Sequence, residues 1–194
     1  MRVMVLFAHP LDDSLHAALH RTILERLRAS GHEIDDCDLY AEHFDPVLDA
    51  AARRRYFDPA QNRSGVERYV ERLFAAEALV LCFPVWTFGP PAILKGFMDR
   101  VMVPGVSFKL DDRGVLRPNL THIRRLITVT TYGRKRLEMW WLGDPPRKIV
   151  KRYLRWFVAR DARVEYLALY GIHESEGHSH QRFIDRVAAA MGRI

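Results

Sequence analysis

The residues best placed to do chemistry lie in three short stretches, each following a run of apolar sequence. His9-Pro10 and Ser14-Leu15-His16 come first, Val85-Trp86-Thr87-Phe88 opens a turn rich in Gly and Pro, and Thr130-Thr131-Tyr132-Gly133 is the third. The first stretch opens a helix, where free backbone N–H groups and the helix dipole suit a phosphate. The second supplies what a planar redox ring needs: flat aromatic walls, backbone donors for ring carbonyl and nitrogen atoms, and an open face for hydride. The third adds hydroxyls, a tyrosine and a glycine. Each has a plainer reading, with Asp12 and Asp13 as outward-pointing acids at a helix start and Trp86 and Phe88 as caps on the core. Three such stretches together favour a ligand. There is no G-x-G-x-x-G or G-x-x-x-x-G-K-[ST] after the first run, which removes most of the weight from nicotinamide-Rossmann and NTPase readings.

Composition narrows the remainder. The chain has 194 residues, 48% hydrophobic and 28% charged, with 30 Lys+Arg against 24 Asp+Glu. These values fit a single domain over residues 1–194 with a substantial core and argue against disorder or coiled coil. Residues 1–97 hold 11 Lys+Arg and 14 Asp+Glu, and residues 98–194 hold 19 and 10. The basic second half reads either as a solvated cationic surface or as an attraction for an anionic ligand such as a phosphorylated cofactor. A nucleic-acid binder would rest on that charge alone, without a helix-turn-helix, RRM-like or zinc module. No apolar run reaches the roughly 18 residues of a membrane span, and His9-Pro10-Leu11-Asp12-Asp13 stands where a signal peptide would place small residues. Cys37 and Cys82 read as packing residues in a reducing compartment rather than a disulfide framework.

The elements that must position these stretches follow from periodicity. Residues 2–8 form a continuous apolar run, as expected of a strand buried on both faces of a parallel sheet. From Ser14, an N-cap, Leu15, Ala18, Leu19, Ile23 and Leu27 fall at helical spacing until Gly31. Strands are expected at 33–39, 78–83, 126–131 and 164–169, and helices at 66–76, after Pro90-Pro91, at 148–159 with Ile149, Val150, Tyr153, Leu154 and Phe157 inward, and at 178–191. Residues 103–123 carry turn signals and read as a long excursion with a small hairpin. The alternation predicts an α/β three-layer sandwich with a five-stranded parallel sheet of order 2-1-3-4-5 and ligands beyond the carboxyl ends of strands 1, 3 and 4.

His9-Pro10 with Ser14-Leu15, the stretch F-P-x-x-x-F-G-x-P-A-I-L-K-G from Phe83 to Gly96, and T-T-x-G from Thr130 to Gly133 together resemble the flavodoxin-like NAD(P)H:quinone oxidoreductases, the family of DT-diaphorase, the modulator of drug activity and the potassium-efflux ancillary subunit. The match runs in order over about residues 3–133. The resemblance implies bound FAD, with FMN the alternative, reduced by NAD(P)H and reoxidised by a quinone-like electrophile in a ping-pong cycle. It places His9, Ser14, Leu15 and His16 at the phosphate-bearing tail, Val85, Trp86, Thr87 and Phe88 along the isoalloxazine, and Thr130, Thr131, Tyr132 and Gly133 at its other edge. Val106, Ser107 and Phe108 would border the substrate. It also implies a homodimer and needs no side-chain nucleophile, while the cysteine reading makes the protein cytoplasmic and the lack of a recognition module leaves no nucleic-acid partner expected. At the positions where mammalian members carry a tyrosine and a histidine that steady the reduced flavin, this chain has Glu138 and Asp144. Tyr132 replaces a small residue and His16 an asparagine, so a reshaped pocket is expected. The competing function is a flavin-binding regulatory or electron-carrier subunit.

Four features stand apart from the resemblance. Arg134-Lys135-Arg136 suits either solvent or NADPH phosphates, and Arg147, Lys151 and Arg155 fall on one helical face beside Lys148 and Arg152. Trp140-Trp141, read as part of a loop, are expected to cover the active site or a dimer interface. His173, Glu174, Glu176, His178 and His180 lack the paired spacing of a metal motif and read as a polar loop, with no metal expected.

Overall fold

The computed structural model describes residues 1–174 and 177–194. In chain order it contains β1 (Arg2–Phe7), α1 (Leu15–Ala29), β2 (Glu33–Asp38), α2 (Ala50–Arg55), α3 (Glu67–Ala75), β3 (Ala78–Val85) and α4 (Ala92–Val101). There follow the short strands β4 (Phe108–Leu110) and β5 (Leu116–Pro118), then β6 (Arg125–Tyr132) and α5 (Arg136–Trp141). A bent helical region runs through α6 (Pro145–Lys148), a π-helical stretch (Ile149–Leu154) and α7 (Arg155–Phe157) to β7 (Arg163–Leu169) and α8 (Gly177–Met191).

The main sheet is parallel throughout, in the order β2-β1-β3-β6-β7, which is the expected 2-1-3-4-5 order of its five strands. Successive strand residues point to opposite faces, and each face has its own core. Met4, Leu6, Leu79, Leu81, Phe83 and Leu126 pack under α3, α4 and the 145–157 helical region. Val3, Val5, Phe7, Val80, Cys82, Ile127 and Val129 pack under α1 and α8. Burial on both sides explains the unbroken apolar runs of β1 and β3. β2 is an acidic edge strand: Arg72 from α3 bonds its Asp35 and, past the strand, Glu42 (2.6 and 2.7 Å), and His20 Nε2 lies 2.8 Å from Asp36. The expected hairpin in 103–123 is the antiparallel β4-β5 pair.

One helix, α2, has no counterpart among the expected elements, and two local readings are corrected. α2 has no apolar periodicity and buries none of its side chains, but Asp49 caps it by accepting from the Ala52 amide at 2.7 Å. α5 contains Trp140 and Trp141 where a loop was expected, because only Met139 of its six residues is buried and no apolar stripe marks it. The π-helical stretch breaks the four-residue spacing of the basic face. Arg155 therefore turns back to bond the carbonyls of Ala159 and Arg160, Arg147 lies over the Tyr166 ring, and Tyr153 is half exposed rather than inward.

Close packing of α4 depends on Gly96, where a Cβ would come 2.3 Å from both Cβ and the carbonyl oxygen of Pro46. Gly96→Ala should therefore cost about 1–3 kcal/mol of stability. A urea titration should show this as a lower midpoint at unchanged slope; an unmoved midpoint would mean that the Pro46 segment gives way freely.

Candidate functional site

The pairing of β3 with β6 sets Phe83 beside Thr130, Pro84 beside Thr131 and Val85 beside Tyr132, so both strands end at one level. Beyond β3 the chain turns through Trp86–Gly89, closed by Trp86 N–H to Gly89 O (3.0 Å) and Gly89 N–H to Trp86 O (2.9 Å). Thr87 and Phe88 take left-handed backbone angles, φ 46° and 59°. For side-chain-bearing residues each such angle costs on the order of 1–2 kcal/mol, a strain typical of ligand clamps. This turn and the end of β6 enclose a cavity of about 420 Å³ lined by Val85, Thr87, Phe88, Tyr132, Gly133, Arg134, Met139, His173 and Glu174. Gly133 admits His173 to the wall, since a Cβ there would lie 3.2 Å from His173 Nε2.

The stretch after β1 adjoins this site. The His9 ring packs against His16 (centroids 5.8 Å, nearly parallel) and against Trp86 (5.8 Å, tilted). The Leu11 amide donates to His9 Nδ1 at 3.1 Å. Ser14 caps α1, its hydroxyl accepting from the Ala17 amide and donating to Leu11 O. The amides of Leu15 and His16, in the first helical turn, have no carbonyl four residues back within the helix to accept them. Asp12 and Asp13 are exposed and precede the cap rather than standing in the first turn.

His16 is buried, with Nε2 2.9 Å from Thr131 Oγ1 and Nδ1 3.7 Å from Cys82 Sγ. Burial, and secondarily the nearby His9, lower its pKa to about 3. It ties α1 to the end of β6 as a neutral ring. Burial likewise pushes the Cys82 thiol well above its usual range, so it packs rather than reacts. Thr130 Oγ1 is buried with no hydrogen-bond partner among the described residues.

Tyr132, fully buried, is held from behind. Its hydroxyl donates to Asp144 Oδ1 at 2.8 Å, which leaves Tyr166 to donate to Tyr132 across 2.5 Å. Tyr170 donates to Asp144 Oδ2 at 3.1 Å and stacks on Tyr132 with centroids 4.3 Å apart. Burial first, then Tyr166, raises the Tyr132 pKa far above the phenol range. Asp144 thus braces the loop after β6 instead of facing the cavity, and it does so with φ 44°. Glu138 accepts from the Lys135 amide at 3.3 Å and lies 4.0 Å from Arg134. Neither residue is placed as a substitute for the tyrosine and histidine of the mammalian members.

The structure brings Val85, Thr87, Phe88, Tyr132 and Gly133 to the cavity wall and His9, His16, Trp86 and Thr131 to its flank. Val106 and Ser107 are instead fully buried, with the Ser107 hydroxyl donating to Met102 O at 2.8 Å, and Phe108 stacks on Phe157. None of the three lines the cavity, because the turn after Pro104-Gly105 directs them into the core. Met139, His173 and Glu174 are cavity residues that the sequence did not indicate in that role. His173 and Glu174 were visible only as polar loop residues, and their approach to β6 is long-range. No group of three His, Cys, Asp or Glu is arranged to hold a metal among the described residues, and Glu176 lies outside them. No helix of the described residues is long and apolar enough to cross a membrane.

Comparison with known proteins agrees with this architecture. The sequence model of the flavodoxin-like fold family matches residues 1–191. A ribosyldihydronicotinamide dehydrogenase-like protein, traD, of Penicillium crustosum is 31% identical over 159 residues, covering 70% of this chain and 59% of that protein. An FMN-dependent NADH:quinone oxidoreductase 2 of Pseudomonas fluorescens is 34% identical over 113 residues, 53% of this chain and 56% of that protein. The chain thus spans somewhat more than half the length of these curated relatives. Among solved structures, Smu.1420 from Streptococcus mutans UA159 superimposes with a TM-score of 0.83 at 27% identity, covering 100% of both chains.

Because the unfolded chain binds a proton at His16 near pH 6.5 and the folded chain only near pH 3, protonation favours unfolding. The His16 share of stability is complete above about pH 6.5 and is lost progressively as pH falls toward 3. NMR of the His16 ring should show no titration between pH 8 and 4, and His16→Asn should flatten the acid limb of stability. A ring that titrates near 6 would refute the burial argument.

Proposed function

The chain belongs to the flavodoxin-like fold family, and on that premise we propose that it is a flavin-dependent NAD(P)H oxidoreductase acting on a quinone or similar small electrophile. The observation that carries this reading is the cavity of about 420 Å³ at the ends of β3 and β6, walled by Val85, Phe88 and Tyr132 and entered by the strained Thr87-Phe88 turn. Its volume lies in the range of ligand pockets. When bound, a flavin supplies a ring that accepts hydride from a nicotinamide and passes it to the acceptor.

The chain's own groups bind, orient and exclude water. The Thr87 and Phe88 amides lie outside the two hydrogen bonds that close the turn and donate no other backbone bond among the described residues, which suits them to ring carbonyl and nitrogen atoms. Val85 and Tyr132 supply apolar contact to an edge, and the Asp144 bracing keeps Tyr132 from rotating into the cavity. The α1 start, with His9 and the Leu15 and His16 amides, takes the phosphate-bearing tail, its dipole favouring the negative charge. The buried, partnerless Thr130 hydroxyl fits a polar atom or water at the inner edge. Trp86, half exposed against His9, covers the join between tail and ring.

FAD is the flavin favoured by the Gly89–Gly96 stretch, while FMN is the one named for the Pseudomonas relative. The exposed α5 side chains Leu137 and Trp141 support a homodimer built on that face, with Trp140 at its edge, where it also lines the neighbouring hollow. The buried free thiols of Cys37 and Cys82 suit the cytoplasm.

The test is the visible spectrum of the purified protein, followed anaerobically as NADPH is added. A flavin spectrum that bleaches and returns with menadione is expected, and chromatography of the released flavin separates FAD from FMN. A flavin that stays oxidised with either nicotinamide would favour a carrier or regulatory subunit, and no flavin after reconstitution would sink the reading. Trp86→Ala should weaken flavin retention roughly tenfold, the scale of one lost aromatic contact, measured by equilibrium dialysis.

A further inference from the structure

Behind the α5 helix lies a second hollow of about 400 Å³, outside the cavity assigned to the flavin, where Arg136, Arg147 and Lys148 converge. The three neighbouring cations of the 134–136 stretch are not equivalent. Arg134 and Lys135 face carboxylates, Glu138 at 4.0 Å and Glu174 at 2.7 Å. Arg136 has no such partner among the described residues, nor has Lys148. The one carboxylate in the lining, Asp144, has an oxygen engaged by each of two tyrosine hydroxyls, at 2.8 and 3.1 Å, and forms no ion pair with the cations beside it. Arg147 is held over the Tyr166 ring, its guanidinium 5.3 Å from the centroid.

Gly143 lies in the same lining. Its φ of +80° is one that other residues rarely adopt, and the Lys148 ammonium lies close over its backbone, where a Cβ would come 2.9 Å from Nζ. Lys148 is solvent-exposed, with its ammonium lying over the Gly143 backbone at the rim of the hollow.

This hollow is continuous with the proposed active site along one shelf. Trp140 lines both it and an apolar hollow of about 560 Å³ formed with Leu137, Trp141 and Leu142. Phe88 and Arg134 line both that apolar hollow and the cavity at the strand ends. Three surfaces thus follow one another: a site for chemistry, an aromatic shelf, and a cluster of cations without carboxylate partners.

We propose that Arg136, Arg147 and Lys148 form an anion subsite for a substrate whose flat portion lies on Trp140 and whose reacting end reaches the cavity between Val85 and Tyr132. The proposal rests on the oxidoreductase reading for its reacting end. The group it takes is a phosphate, sulfonate or carboxylate, carried either on the adenosine end of a phosphorylated nicotinamide dinucleotide or on an acidic aromatic acceptor. Arg147, already oriented by Tyr166, supplies a fixed guanidinium for such an oxyanion, Arg136 a second one, and Lys148 closes on it as a point charge.

The experiment measures binding to the flavin-loaded protein by equilibrium dialysis, comparing wild type with R136Q/K148Q. Two anionic probes are paired with weaker or neutral analogues: adenosine 2′,5′-bisphosphate against adenosine 5′-monophosphate, and 1,4-naphthoquinone-2-sulfonate against 1,4-naphthoquinone. The double variant should bind at least one anionic probe roughly tenfold more weakly, the scale of a lost charge-assisted hydrogen bond, and its analogue within about twofold. The charge-conserving R136K/K148R should restore most of that loss. A selective loss for the bisphosphate identifies the reductant as the source of the anion, and one for the sulfonate identifies the acceptor. Equal affinity of wild type and double variant for both anionic probes overturns the subsite. The two readings fail separately: probe affinity that falls in the variant while wild-type flavin resists reduction by NADPH leaves the subsite standing without the activity, and the converse leaves the activity without the subsite.

Discussion

The parallel pairing of β3 with β6 is the constraint on which the rest of the molecule turns. Both strands are buried on both faces, so their backbones cannot slip without turning apolar side chains of two cores the wrong way. That fixed register ends with Val85 opposite Tyr132. Past that point the backbone groups lose their ladder partners, and the two following loops must either satisfy them or offer them to a ligand. The turn at 86–89 does both, closing on itself with two hydrogen bonds and leaving the Thr87 and Phe88 amides outside them.

The loops after the strands are held by buried polar contacts rather than by further apolar packing. His16 links α1 to Thr131, and Asp144 links the start of α6 to Tyr132 and Tyr170. Both depend on groups being in one protonation state: a neutral imidazole at His16 and protonated phenols around Asp144. Burial maintains each state, and each in turn makes the contact directional in a way that apolar packing is not. Asp144, which departs from the residue that the mammalian members carry, has a bracing role instead. A short carboxylate in a left-handed turn reaches back to Tyr132 of β6 and to Tyr170 just past β7 instead of forward into the cavity.

Electrostatics divides the rim in two. At the α1 start the charge that favours a phosphate comes from the helix dipole and amides, since Asp12 and Asp13 stand ahead of the cap. Around α5 and α6 it comes from side chains, some paired with Glu138 and Glu174 and some gathered at the hollow beneath Trp140. A molecule with a flat centre and an anionic end meets complementary surfaces at both places. Part of the basic excess of the second half of the chain thus gathers at this hollow, as Arg136, Arg147 and Lys148, while Lys151 and Arg152 stay exposed on the helical region that follows.

By itself the sequence determined the local architecture. The apolar runs of β1 and β3, the Ser14 cap and the Pro90-Pro91 helix start specify strand, helix and order, because burial on two faces and the two backbone periodicities write themselves into consecutive residues. It also marked the three strand-end stretches, since aromatic, Gly and Pro residues cluster there. What it left open has one physical cause: a contact between residues far apart in the chain has no periodicity. Met139, His173 and Glu174 reach the cavity, and Val106 and Ser107 turn away from it, only through packing that no spacing encodes. α5 was illegible because its large apolar side chains face outward, the reverse of the pattern by which helices are read. The division of the 134–136 cations into paired and unpaired, and the turning of Arg155 out of its basic face by a π-helical stretch, were decided by the tertiary structure alone, because only there do partners and helix phase exist.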